Sequence, residues 1–235
     1  LRGGGVGGLV ARDEFGRRAR LDRRGRGGDG NGIGNRNRVS HRRDDDGRVT
    51  GMPFGDVHPN ELFRRYDGNP VLVASDLPKM VNAVFNPAAV AFGGETLLLA
   101  RVEPRSGLSH LAVATSPDGR TNWTIDPSRT FHPLEDSFAE HWGVEDPRIT
   151  EIAGEYFIVY TGYSAGGPLV CLATTRDFRT YERRGVLTSP EDKDAALFPV
   201  TISGRDALVH RPVPTATFGA HIWISFSPDL RHWGD

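Results

Sequence analysis

The sequence predicts an all-β fold assembled from propeller blades, about three of them in this chain. One strand-and-turn module recurs three times, and no stretch between the copies has helical periodicity. Two independent markers also keep the same spacing. Pro87 to Pro147 is 60 residues and Pro147 to Pro199 is 52, while Asp118 to Asp177 is 59 and Asp177 to Asp229 is 52. Repeats of this length, made only of strand and turn signals, indicate propeller blades. A β-sandwich with similar hairpins is the competing architecture.

The N-terminal segment stands apart. Residues 1–50 hold 13 Arg against 7 Asp/Glu, leaving 16 basic against 23 acidic residues in the remainder, although the whole chain carries a net charge of −1. This segment has 13 Gly, no lysine and no apolar periodicity. It cannot bury enough surface to offset its ordering entropy, so residues 1–53 are expected to be disordered and residues 54–235 to form a partial propeller. A misassigned start of the reading frame fits the same composition, and an RNA-binding arm is the competing reading. Neither nucleic acid nor membrane is expected as a partner. No apolar run approaches the ~20 residues of a spanning helix. Leu1-Arg2-Gly3-Gly4-Gly5 resembles no secretory signal, which makes a cytoplasmic location the default expectation. The single cysteine, Cys171, lies among apolar residues and reads as core filler.

Each module ends on an apolar strand followed by Ser/Thr-x-Asp (Ser116 to Asp118, Thr175 to Asp177, Ser227 to Asp229) and an aromatic residue (Trp123, Tyr181, Trp233). The Asp is suited to accept bonds from turn amides, and the aromatic to cover the turn. An earlier element reads Phe85-Asn86-Pro87, Glu145-Asp146-Pro147 and Leu197-Phe198-Pro199, each leading through a polar or Gly-containing turn into a second strand. Blades pack radially, so this register puts Asn86, Asp146 and Phe198 at equivalent positions facing a central pocket. Arg101, Thr161 to Tyr163, and His210-Arg211 end the second strands.

One acid and several cations are thereby expected to converge. Asp146 precedes a proline, which predicts an extended backbone there, with Glu145 and Arg148 on alternating faces. A plain turn cap is the other reading of the Asp-Pro pair. The chain has only two lysines, Lys79 and Lys193, against 27 arginines, so a lysine between Asp192 and Asp194 points to a compact charge wanted there. A solvated charge cluster is the competing reading, as a snorkelling surface residue is for Arg101. Lys193, His210 and Arg211 together supply the donors that an oxyanion such as phosphate requires.

With these residues in place the chain resembles glycoside hydrolase family 130, the inverting β-mannoside phosphorylases. The resemblance rests on Asn86-Pro87, Leu98 to Glu103, Ser109-His110-Leu111, Gly143 to Ile149, Asp192-Lys193-Asp194, Leu197-Phe198-Pro199 and His210-Arg211-Pro212, in the family's order. It implies a five-bladed propeller acting on β-mannosides (β-1,2 or β-1,4 linkages) and inorganic phosphate, with no cofactor and no metal. It also implies that Asp146 is the general acid, protonating the leaving oxygen through a hydroxyl of the bound mannose. Lys193, His210 and Arg211 would hold phosphate. Asn86, Arg101, Glu145, Arg148, Tyr163 and Asp194 would contact sugar, Arg101 serving either ligand. The family's closing segments do not follow Trp233-Gly234-Asp235. A fragment, or a frame damaged at both ends, is therefore expected, with open blade edges that favour self-association. Two other functions compete: a hydrolase of the related five-bladed arabinanase or invertase group, which needs two or three pocket carboxylates, and a non-catalytic carbohydrate-binding propeller.

Overall fold

The computed structural model describes residues 65–213 and 221–234; the segment 1–53 expected to be disordered lies outside them. After one turn of 3-10 helix, Ala74–Asp76, the described chain is built of eleven antiparallel strands in three sheets. The first blade contains β1 (Val81–Phe92), β2 (Glu95–Pro104), β3 (His110–Ser116) and β4 (Thr124–Phe131), in that spatial order. The second contains β5 (Val144–Ile152), β6 (Glu155–Ser164), β7 (Gly167–Thr175) and β8 (Glu182–Val186). The third has β9 (Asp192–Leu197) inside, then β10 (Asp206–Pro212) and β11 (Trp223–Ser227). The first strand of the second blade, β5, neighbours the first strands of both others, β1 and β9. The fold is the all-β, partial propeller that the repeats predict.

Local chemistry sets the hairpins. β1 and β2 turn at Gly93-Gly94, β5 and β6 at Ala153-Gly154, each a two-residue loop with both residues at positive φ. That twist matches the flanking strands, and glycine adopts it freely. The Ser/Thr-x-Asp motif closes the outer turn of every blade. Asp118 Oδ1 accepts from the amides of Arg120 (2.8 Å) and Thr121 (2.7 Å), Asp177 Oδ1 from Arg179 and Thr180 (2.8 Å each), and Asp229 Oδ1 from Arg231 and His232 (2.9 Å each). Those amide bonds hold all three carboxyls below the usual range, Asp177 at about 2.

The core lies between blades. Leu97, Leu99, Leu111, Val113 and Phe131 of the first blade pack against Ile158, Tyr160, Cys171 and Phe178 of the second. On the other side of the second blade, Val159, Val170 and Leu172 pack against Leu197 and Leu208 of the third. Ile158 and Val159 thus face opposite neighbours and are both buried. A strand covered on both faces has no polar side to show, which is why the middle of β6, Tyr156 to Tyr160, reads as an unbroken apolar run. Cys171 is buried as expected, and that burial pushes its thiol up to about 12.

The third module departs from the predicted register. Each first strand carries a bulge at the same place: the partners skip from Phe85–Arg101 to Ala88–Leu99, from Glu145–Thr161 to Arg148–Val159, and from Lys193–Arg211 to Ala196–Val209, β1 having a further irregularity between Val81 and Ala83. The residue after the first member of each skip is left-handed: Asn86 (φ 47°), Asp146 (φ 49°) and Asp194 (φ 56°). Asp194, not Phe198, is therefore the third equivalent of Asn86 and Asp146. Leu197 ends β9, and Phe198 merely donates its amide to the Ala207 carbonyl (2.9 Å). The segment between bulge and hairpin is two residues longer in this blade, so Pro199 lies beyond the bulge and not next to it as Pro87 and Pro147 do.

Candidate active site

The bulges of the first two blades bring their polar side chains, Asn86 and Asp146, into contact, whereas Asp194 at the third blade's bulge pairs with Arg211 of its own blade. Asp146 is 8% exposed; its Oδ1 accepts from Asn86 Nδ2 (2.9 Å) and from an Arg101 terminal nitrogen (3.2 Å). The other terminal nitrogen of Arg101 donates to Glu145 Oε1 (2.8 Å), so one guanidinium holds two adjacent carboxyls. Arg101 is itself held by Ser109 Oγ (3.1 Å from its Nε) and lies over the Phe85 ring, 4.6 Å from the centroid. Burial raises the Glu145 carboxyl, against the lowering fields of Arg101 and, from the third blade, Lys193.

Backbone contact between blades fixes this arrangement. Val144 donates its amide to the Ser109 carbonyl (3.0 Å), and Ser109 bridges Gly143 in parallel. Gly143 sits at φ 123°, where an added Cβ would lie 2.8 Å from the Ser109 nitrogen. Only glycine permits that approach, which sets β5 beside the residue that braces Arg101.

Asp146 is not extended, contrary to the constraint expected from Pro147. The bulge places it in the left-handed region, and two donors from the first blade hold its carboxylate there. Proline suits the next position because a bulge leaves an amide outside the ladder and Pro147 has none to lose. The single-residue bulge also gives Glu145 and Arg148 the partners Thr161 and Val159, two apart on β6, so the expected alternation of faces is lost. Arg148 is exposed and donates to the Pro147 carbonyl (2.8 Å), apart from the Asp146 network.

The remaining candidates divide. Arg211 pairs with Asp194 through both Nε (3.0 Å) and a terminal nitrogen. His210 is 8% exposed, with Nδ1 2.5 Å from Asp192 Oδ2 and Nε2 2.9 Å from Ser225 Oγ, so its ring is engaged inside the third blade. Lys193 makes no ion pair among the described residues. Tyr163 is half-exposed beside Trp142, their ring centroids 5.6 Å apart. Sequence reasoning missed Ser109, Asp192 and Ser225 as supporting residues. The first two stand in quoted motifs, whereas nothing local marks Ser225.

Residues 57–235 match glycoside hydrolase family 130, described as beta-1,4-mannooligosaccharide phosphorylase. The chain belongs to this family. A 1,2-beta-oligomannan phosphorylase of Thermoanaerobacter sp. (strain X514) is 35% identical over 188 residues, covering 74% of this chain and 59% of the relative. The beta-1,4-mannooligosaccharide phosphorylase of Ruminococcus albus is 32% identical over 184 residues, covering 74% and 54%. The chain therefore spans less than two thirds of these relatives' lengths. Among solved structures, the beta-1,2-mannobiose phosphorylase from Listeria innocua, in complex with beta-1,2-mannobiose, superposes with a TM-score of 0.67 at 26% identity. That match covers 73% of this chain and 64% of that one. A thermostable family-43 glycoside hydrolase (TM-score 0.52, 15% identity, 71% and 53% covered) shares the fold alone.

Proposed function

We propose that the whole protein catalyses inverting phosphorolysis of β-1,2- or β-1,4-mannosides, giving α-mannose 1-phosphate. The observation that carries this reading is the buried Asp146 carboxyl, set at a bulge among Asn86 and Arg101 with Glu145 and the Lys193 charge alongside. An ordinary inverting hydrolase needs a second carboxylate to activate water across a gap of roughly 6.5–9.5 Å. Phosphate is already an anionic nucleophile, so the opposite side of the sugar requires cations in place of a base.

In the proposed reaction a phosphate oxygen attacks the anomeric carbon as the glycosidic C–O bond breaks. The proton of Asp146 passes through a mannose hydroxyl to the leaving oxygen. Lys193 and Arg211 attract the phosphate, and Arg101 orients Asp146 and Glu145 toward the sugar. Attack from the face opposite the leaving group accounts for inversion. No cofactor takes part; phosphate is the co-substrate.

Incubating a panel of mannobioses with and without inorganic phosphate tests the reading. Mannose 1-phosphate is expected only with phosphate. Free mannose released at equal rates in both arms would establish hydrolysis instead, and the absence of either product with active-site integrity intact would favour a binding role.

A further inference from the structure

His210 has the ring chemistry of a phosphate ligand, yet both of its nitrogens are turned onto protein partners. Asp192 is 1% exposed; its Oδ2 faces His210 Nδ1 at 2.5 Å, and its Oδ1 accepts the Lys193 amide at 2.8 Å. A carboxylate facing Nδ1 selects the tautomer that carries the hydrogen there, leaving Nε2 to accept from the Ser225 hydroxyl at 2.9 Å. The hydrogen bonds run across all three strands of the blade, from β11 through β10 to β9, and end on the backbone of Lys193.

The other two blades show what this chain of bonds replaces. By register, Asp192 corresponds to Val84 and Val144, His210 to Ala100 and Tyr160, and Ser225 to Ala114 and Ala173. Those counterparts are core or strand residues, and Ala100, Ala114, Val144, Tyr160 and Ala173 are all buried. The third blade thus has three polar groups at positions where its sisters carry apolar ones or a tyrosine. Burying polar groups costs stability unless each finds a partner, and here every one does. Their common terminus is the residue before the bulge, where the ladder skips from Lys193–Arg211 to Ala196–Val209 and leaves the backbone with fewer restraints.

We infer that Ser225, His210 and Asp192 form a strut that fixes the backbone of Lys193, so that His210 is a positioning residue acting on phosphate through Asp192. This rests on the reading of Lys193 as a phosphate ligand. Asparagine can present an amide donor where Nδ1 stands, whereas glutamine reaches only the Nε2 position. The two substitutions therefore separate positioning from direct contact.

The test uses the full chain and measures steady-state phosphorolysis together with amide hydrogen exchange of the peptide covering β9. His210→Ala is expected to raise the KM for phosphate roughly tenfold, the scale of a small misplacement of a binding group, with the KM for mannoside within about twofold. Ser225→Ala, at the half-buried outer end of the strut, is expected to move the same constant in the same direction by a smaller factor. His210→Asn should recover most of the loss and His210→Gln should not. Exchange at β9 should accelerate in the same order as the KM, a readout independent of turnover. Rescue by Gln but not Asn would mean direct contact of Nε2 with phosphate and would overturn the inference. Unchanged exchange in His210→Ala would do so as well. Accelerated exchange in a protein whose wild type ignores phosphate would keep the strut and sink the phosphate reading of Lys193.

Discussion

At the scale of single residues, Asp146 and Lys193 make separable contributions. Asp146 takes both of its described donors from the first blade, so asparagine keeps the shape while removing the transferable proton. Asp146→Asn is expected to lower kcat by about 10²- to 10⁴-fold, the usual worth of a general acid, with the melting temperature little changed. Mannose 1-phosphate release measures it, and near wild-type turnover would show that another group supplies the proton. Lys193 differs from Arg211 and His210, each of which already has an aspartate partner. Lys193→Ala should therefore act mainly on the KM for phosphate and spare that for mannoside. Equal rises in both constants would argue for a sugar contact instead.

At the scale of elements, the outer turn of each blade is the part most fully legible in the sequence. In the second blade Thr175 Oγ1 accepts from the Phe178 amide (2.9 Å) and donates to the Thr180 carbonyl (2.7 Å), while Asp177 takes the next amides. All of these partners lie within five residues, so a local pattern suffices to find them. Thr175→Val keeps the volume and strands a buried amide, at an expected cost of about 1–3 kcal/mol in urea unfolding. An unchanged midpoint would mean that water replaces the hydroxyl. The bulges themselves were not legible, since an extended backbone was expected at Asp146; only the equivalence of Asn86 and Asp146 was, because a proline follows each. In the third blade Ala195 follows Asp194, and the Phe198-Pro199 pair four residues on draws the eye instead. The engagement of His210 was not legible at all. Its partners lie 18 residues before it and 15 after it, on two other strands, and no spacing rule links them.

At the scale of the whole molecule, the blades carry their hydrophobic core between them and not within them, which couples their stabilities. Phe178, fully buried, shows this most directly. It follows the outer-turn aspartate of the second blade, yet its ring meets Phe92 of the first edge-on with centroids 5.1 Å apart, and Tyr156 of its own blade at 4.8 Å. Its carbonyl accepts from Arg129 Nε (3.2 Å) at the end of the first blade and from the Tyr181 hydroxyl (3.0 Å). The second blade buries one face against the first, so the first and second blades are expected to unfold together. Phe178→Ala should therefore cost about 3–5 kcal/mol, the range for deleting a buried phenylalanine, and lower a single cooperative transition followed by both near- and far-ultraviolet circular dichroism. Separation of that transition into two, with only the second blade weakened, would show that the blades are independent units and that this contact is dispensable. Because Asp146 belongs to the second blade and its donors Asn86 and Arg101 to the first, the same substitution should loosen the acid's setting. Phosphorolysis measured well below the melting temperature would then fall even where both blades remain folded.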